Sequence, residues 1–406
     1  MRPATLVAAM CAGQLGSLLP HMAFSALIPR FAELWGLSAA ESGAISGAFF
    51  IGYACVVPLT TTLTDRVDAR RILIVGSLSS ALATFAFAAL ARDFWSAALL
   101  WALAGAGFAG AYMPGLRALT DRLPPGDASR SITLYTSSYS IGVGLSFLGA
   151  QLLERQFGWQ AAFVGVGCGP LVMMAVALSL PAWQPTPRAG ARLLDFRPAL
   201  RNRPAMAFVL GYGAHCFELA AMRAWIVSFW LFTAARSGAP GWIDAVGVSV
   251  AVTLIAMPAS ILGNEMAIRL GRRRLIAGVM IASSLIAIAL GFASAAPWPL
   301  VLALLLLHGF AVPADSGSLT SGMVGAAEPD CRGATMALHS TVGFGASFLG
   351  PLAMGLAIDG FGGPGSAAGW QAAYFVLALA AVAGLPALRL GIARSTSSAS
   401  APAQIR

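Results

Sequence analysis

The chain has 406 residues, of which 58% are hydrophobic and only 10% charged, at a mean hydropathy of +0.78. Soluble domains carry about 25% charged residues, so the composition excludes a water-soluble globular protein and points to a polytopic membrane protein. The net charge of +9 rests on 25 arginines and no lysine, and the placement of those arginines fits an oriented membrane protein, not a nucleic-acid binder.

A bilayer crossing takes about 20 apolar residues. About twelve such segments are expected: 4–29, 40–63, 72–91, 94–116, 131–153, 159–180, 206–233, 243–266, 275–293, 298–321, 334–357 and 370–392. Met1–Pro29 reads as the first span; no A-x-A-like end marks it as a cleaved leader. Ser38 and Glu41 have capping-box spacing ahead of the second span. Ala296-Pro297-Trp298-Pro299 reads as a turn leading into the tenth. Residues 181–204 are rich in proline and arginine and predict a cytoplasmic linker. Residues 395–406 predict a disordered tail. With the N-terminus inside, twenty arginines fall on the cytoplasmic side and four (Arg30, Arg92, Arg155, Arg236) on the other. This bias predicts that both termini are cytoplasmic in a cell-membrane (inner-membrane) protein. Five scattered cysteines give neither metal-ligand spacing nor a disulfide framework.

The two halves repeat. Gly142–Gly149 (GVGLSFLG) matches Gly343–Gly350 (GFGASFLG), Gly158–Phe163 (GWQAAF) matches Gly369–Tyr374 (GWQAAY), and Arg66, Arg70 and Arg71 match Arg269, Arg273 and Arg274. An all-α protein of twelve transmembrane helices follows, in two pseudo-symmetric six-helix bundles, 1–180 and 205–394. A repeat of this kind places a binding site near the bilayer midplane between the halves.

The run from Met206 to Thr233 is long enough to span a membrane, yet it holds His215, Glu218 and Arg223. A charge at the centre of a membrane helix costs about 2.5–3.5 kcal/mol on insertion scales, so such residues face a protein interior or a wet cavity and have partners. His215 and Glu218, at i and i+3, can touch on one helix face. Tyr212 precedes His215 by the same spacing, and Trp225 continues the stripe. Arg223 lies about 140° round the helix from Glu218 and needs partners from elsewhere. Asp315 is the second deep acid, beside Pro313. His21 and His308 read as packed polar residues. The glycines of the repeated GxGxxxxG stretches read as close helix contacts.

On these motifs the chain resembles the major facilitator superfamily over essentially its whole length. Leu63–Leu73 (LTDRVDARRIL) resembles the family's G-x-L-a-D-R-x-G-R-[KR]-[KR] loop: Asp65, Arg66, Arg70 and Arg71 fit, while Asp68 stands where the family often has glycine. The second copy, Gly263–Arg274, keeps Arg269, Gly271 and Arg273 but has Ile268 in place of the acid. The resemblance implies a cytoplasmic gate at these residues. Two features depart from the family pattern: Trp101 occupies the position of the fourth-span arginine linked to proton coupling, and the fifth span lacks the proline of G-x-x-x-G-P.

The leading functional expectation is secondary active transport of a small organic solute by alternating access. An organic anion is favoured because Arg223 is a guanidinium fork suited to a carboxylate. Glu218 would take up and release a proton, His215 would share or tune it, and Tyr212, Trp225 and Trp101 would form aromatic walls. Efflux of amphiphilic cations against Glu218 and Asp315 is the runner-up, and a non-transporting sensor the remote alternative. No nucleophile–base arrangement, metal cluster or phosphate loop suggests an enzyme or a cofactor. The expected partners are a small-molecule substrate, protons and the lipid bilayer around a monomer.

Overall fold

A computed structural model of the chain describes residues 2–124, 128–185, 194–328 and 331–390. The apolar runs become helices because only intrasegment hydrogen bonds satisfy the backbone in hydrocarbon. In the first half, α1 is Pro3–Leu18, continued by the short helices Ala23–Ala26 and Ile28–Trp35. There follow α2 (Ala39–Leu63), α3 (Ala69–Leu90), α4 (Phe94–Thr120), α5 (Ala128–Phe157) and α6 (Trp159–Ser179). In the second half are α7 (Arg203–Ser237), α8 (Ala245–Leu270), α9 (Arg272–Ala295), α10 (Trp298–Ala326), α11 (Arg332–Gly360) and α12 (Ala367–Arg389). Ten of these are each apolar and long enough to cross a membrane; α1 and α5 complete the twelve spans expected from the sequence. This is a multi-pass, all-helical membrane protein. The expected tail, 395–406, lies outside the described residues, as do 186–193 of the linker.

The helix starts follow local chemistry. Ser38 and Glu41 form the expected capping box at α2, and Asp93 with Ser96 forms another at α4. Interruptions inside spans fall beside prolines, which lack the N–H that would continue the ladder. α4 breaks at Ala109–Ala111 before Pro114, α6 at Cys168 before Pro170, α8 at Ile255 before Pro258, and α10 tightens to a 3₁₀ turn at Val312–Asp315 around Pro313. The first span was expected as one helix, but it breaks at Leu19–Met22 around Pro20. Ser146 of α5 mends that break: its Oγ accepts from Met22 N at 2.9 Å and donates to Leu19 O at 2.6 Å. The break turns His21 into the interior, where it is buried.

The halves meet mainly along α2 and α11. A Cβ on Gly43 would collide with the carbonyl oxygen of Pro351, and one on Gly355 with that of Ala39. Small residues here let the two helices touch by backbone. The repeated glycines divide: Gly142 packs on Leu18, Gly343 on Tyr212 and Gly350 on Phe217, whereas Gly149 and Gly345 stand in open or loose surroundings.

Candidate substrate site

α7 is one continuous helix of 35 residues, so its polar residues radiate in fixed directions. All of His215, Glu218 and Arg223 are buried. His215 and Glu218 do not pair with each other. His215 Nδ1 lies 2.8 Å from Asp315 Oδ1 of α10, although no donor points at that oxygen in hydrogen-bonding geometry; the contact is a close approach, not an aligned hydrogen bond. Glu218 is held by two other helices: His308 Nε2 of α10 lies 3.1 Å from Oε1, and Ser283 Oγ of α9 donates to Oε2 at 3.2 Å. Each deep acid therefore has a histidine, and both pairs lie inside the second half. His308, read from the sequence as a packed polar residue, is the direct partner of Glu218.

Arg223 is different. It is 4% exposed, and among the described residues it makes no ion pair or hydrogen bond; its Nε has no acceptor. Its charge interacts at longer range with Tyr139 and His21 of the first half and with Tyr212 and Cys216 of its own helix. Tyr139 Oη is 2.8 Å from His21 Nε2. Around them Tyr53 stacks on Phe344 across the halves at 3.8 Å, and Tyr112 lies 5.5 Å from Tyr139. Tyr53 Oη has no hydrogen-bond partner. The arrangement is a buried guanidinium with no bonded partner among the described residues, within charge-interaction range of Tyr139 and His21 in the first half, beside which Tyr112 and Tyr53 complete a tyrosine wall.

Of the remaining expected site residues, Tyr212 links Arg223 to the His215 pair, while Trp225 and Trp101 separate from this cluster. Tyr212 stacks on His339 at 3.8 Å and lies 5.7 Å from His215, on the second-half side. Trp225 donates Nε1–H to Pro351 O at 3.0 Å and packs on Trp370, which makes it part of the α7–α11 contact. Trp101 is 1% exposed among Phe49, Phe87 and Phe163; it is packing inside the first half. Sequence reasoning missed Tyr53, Tyr112 and Tyr139. The available signal was that four of the chain's six tyrosines lie in membrane spans of the first half.

The family model for the Major Facilitator Superfamily matches residues 6–264. The chain belongs to the major facilitator superfamily. Two curated proteins are similar to this chain over part of their length. A gallate transporter of Pseudomonas putida is 29% identical over 183 residues, covering 45% of this chain and 39% of that protein. The niacin transporter NiaP of Acinetobacter baylyi is 26% identical over 147 residues, 36% of this chain and 33% of that one. Among solved structures, a bacterial homologue of the human lysosomal transporter Spinster, inward-facing and unoccupied, superposes with a TM-score of 0.73 at 17% identity, covering 96% of this chain and 95% of that one. The POT family transporter PepTSo gives 0.73 at 14% identity, covering 96% and 98%. These establish the family fold.

In the expected gating loop the tighter contacts are made at Asp68, not at Asp65. Asp65 reaches Arg117 Nη1 at 3.4 Å, both side chains being 45% and 40% exposed. Asp68, at the position where the family often has glycine, makes the tighter contact: Arg122 Nη2 donates to its carboxylate at 2.8 and 3.1 Å, with side chains only 3% and 10% exposed. Asp68 also caps α3 through Arg70 N and accepts from Trp183 N of the linker. Arg70 reaches Leu178 O at 3.4 Å, Arg273 lies over the ring of Phe208, and Arg66, Arg71 and Arg269 are at the surface. Every one of these contacts stays within one half or its linker.

Proposed function

We propose that this protein is a proton-coupled secondary transporter of a small organic anion, working by rocking of its two halves around a central site. The observation that carries this reading is Arg223: a buried guanidinium without a counter-ion, at the junction of the halves. An uncompensated buried charge is costly, and an anionic substrate that spans the junction relieves that cost while it is bound. The tyrosine wall supplies hydroxyl donors and flat apolar faces, which suits a ring-bearing carboxylate. The names of the two curated relatives, gallate and niacin, are both of aromatic acids and support the same class. Cation efflux would need a free acid in the cleft; Glu218 is bonded by His308 and Ser283, and Asp315 has His215 Nδ1 at 2.8 Å.

In this reading the two histidine–acid pairs hold the coupling protons. They join α7 to α9 and α10 and act on Arg223 through the helix they share. The cytoplasmic placement of both termini in a cell membrane follows from the arginine bias.

Ligand-induced stabilisation tests the substrate class, because a ligand that binds only the folded state raises apparent stability by mass action. Purified protein is expected to show a raised melting temperature with gallate or nicotinate and none with amphiphilic cations. Arg223→Ala should abolish the shift. Equal stabilisation of parent and variant by cations would replace the anion reading with the efflux one.

A further inference from the structure

The repeat of the gating loop has lost its carboxylate but kept its arginines. Aligning Arg70 and Arg71 with Arg273 and Arg274 sets Asp68 opposite Gly271. In the first half the Asp68 carboxylate fills the corner between α3 and α4, binding Arg122, the first-turn N–H of Arg70 and the N–H of Trp183. In the second half Gly271, at φ +91°, leaves the start of α9 without a side-chain cap. The end of α10, Ser316–Ala326, carries no charged residue. What occupies this corner is a groove of about 630 Å³, lined by Arg272, Arg273, Arg274, Phe208, Gly322 and Gly325 among others. None of the three arginines has a carboxylate partner among the described residues, and Arg272 Nε is buried with no acceptor. The Arg273 guanidinium lies over the Phe208 ring, 5.9 Å from its centre.

We propose that this groove binds the phosphate of an anionic membrane phospholipid, which takes the place of the carboxylate that Asp68 supplies in the first half. A phosphate diester offers the acceptors that the uncapped α9 terminus and the guanidinium forks lack. The choice of lipid over free phosphate rests on the neighbouring surface: Met266, Ile268 and Leu270, on the last turns of α8, are exposed apolar side chains, suited to acyl chains beside the headgroup. Juxtamembrane arginine clusters attract anionic headgroups by the same electrostatics. The lipid thereby ties α9 to α10 as Arg122–Asp68 ties α4 to α3.

The test uses the full chain in neutral detergent, titrated with phosphatidylglycerol, phosphatidylcholine or inorganic phosphate, and read by thermal stability and native mass spectrometry. Phosphatidylglycerol is expected to raise the melting temperature and give a saturable bound species, and phosphatidylcholine to do neither. Arg272→Gln with Arg274→Gln should weaken the affinity about tenfold, while Arg236→Gln at the other end of the molecule should leave it unchanged. Should the double variant fail to fold, competition on the unchanged chain decides: excess phosphatidylcholine must not displace bound phosphatidylglycerol. Equal binding of both lipids, an unaltered affinity in the double variant, or the same stabilisation by inorganic phosphate at equal concentration would overturn the lipid assignment.

Discussion

At Glu218 the carboxylate is shared between His308 at 3.1 Å and Ser283 at 3.2 Å, and a proton added there changes one of two histidine–acid pairs without touching Arg223. Substitution by glutamine keeps the size and an acceptor for Ser283 but removes the charge. Glu218→Gln is therefore expected to reduce pH-gradient-driven uptake in proteoliposomes at least tenfold, while substrate exchange at equal pH persists. A residue that merely holds α7 to α9 and α10 would lose both activities together, and that outcome would remove Glu218 from coupling. The deep polar residues of α7 were readable from the sequence because charge in an apolar run has few explanations. Their partners were not. Spacing along α7 suggested a His215–Glu218 contact, but which faces of α9 and α10 turn toward α7 depends on helix register, and only packing sets that.

At the scale of elements, α3, α4 and the linker are joined by Asp68. Family resemblance directed attention to Asp65, yet exposure decides between the two acids. An exposed pair such as Asp65–Arg117 contributes about 0–1 kcal/mol, whereas removing one partner of a buried pair costs about 3–5 kcal/mol. Asp68→Asn should thus lower the melting temperature of the purified protein clearly, and Asp65→Asn little or not at all; the reverse order would place the latch at Asp65. The same contact predicts a pH dependence. Burial pushes the Asp68 carboxyl upward, but hydrogen bonds from Arg122, Trp183 N and Arg70 N, with the charge of Arg122, outweigh it and hold it below its ordinary 3.8. A depressed folded value means the stabilisation is complete above the unfolded value and is lost as pH falls below about 4. Melting temperature measured down from neutral pH should show an acid-side loss in the parent that is smaller in Asp68→Asn. The helix count, the repeat and the α2 cap were all legible, since length, hydropathy and capping chemistry are local. The role of Asp68 was not, because it rests on Arg122, 54 residues away.

For the molecule as a whole, the polar bonds that cross between the halves gather at one end. Asp359 at the end of α11 accepts from Ala39 N at 3.0 Å and Ala40 N at 2.8 Å. Arg155 pairs with Asp244 at 2.9 Å, and Gln151 with Ser249 at 3.2 Å. At the end carrying Asp65 and Asp68, the contacts of Asp65, Asp68 and Arg70 each stay within one half or its linker. The halves are therefore joined at the end opposite the termini, and Asp359 is a clasp there: an anion set on the first two N–H groups of α2, where the helix dipole favours it. Removing a side-chain cap costs about 0.5–2 kcal/mol, and a kilocalorie or two changes a two-state ratio about 5–30-fold. Asp359→Ala should shift the population toward the state open at that end by a factor in this range. Cys216, buried on α7 about one turn from Tyr212 and two turns from Arg223, reports the change once the other four cysteines are replaced by serine. A membrane-impermeant thiol reagent applied from the side opposite the termini should then label Cys216 several-fold faster in Asp359→Ala than in the parent. An unchanged rate would mean that α2 and α11 stay shut through their glycine-mediated backbone contact alone, and that the carboxylate follows the closure without setting it.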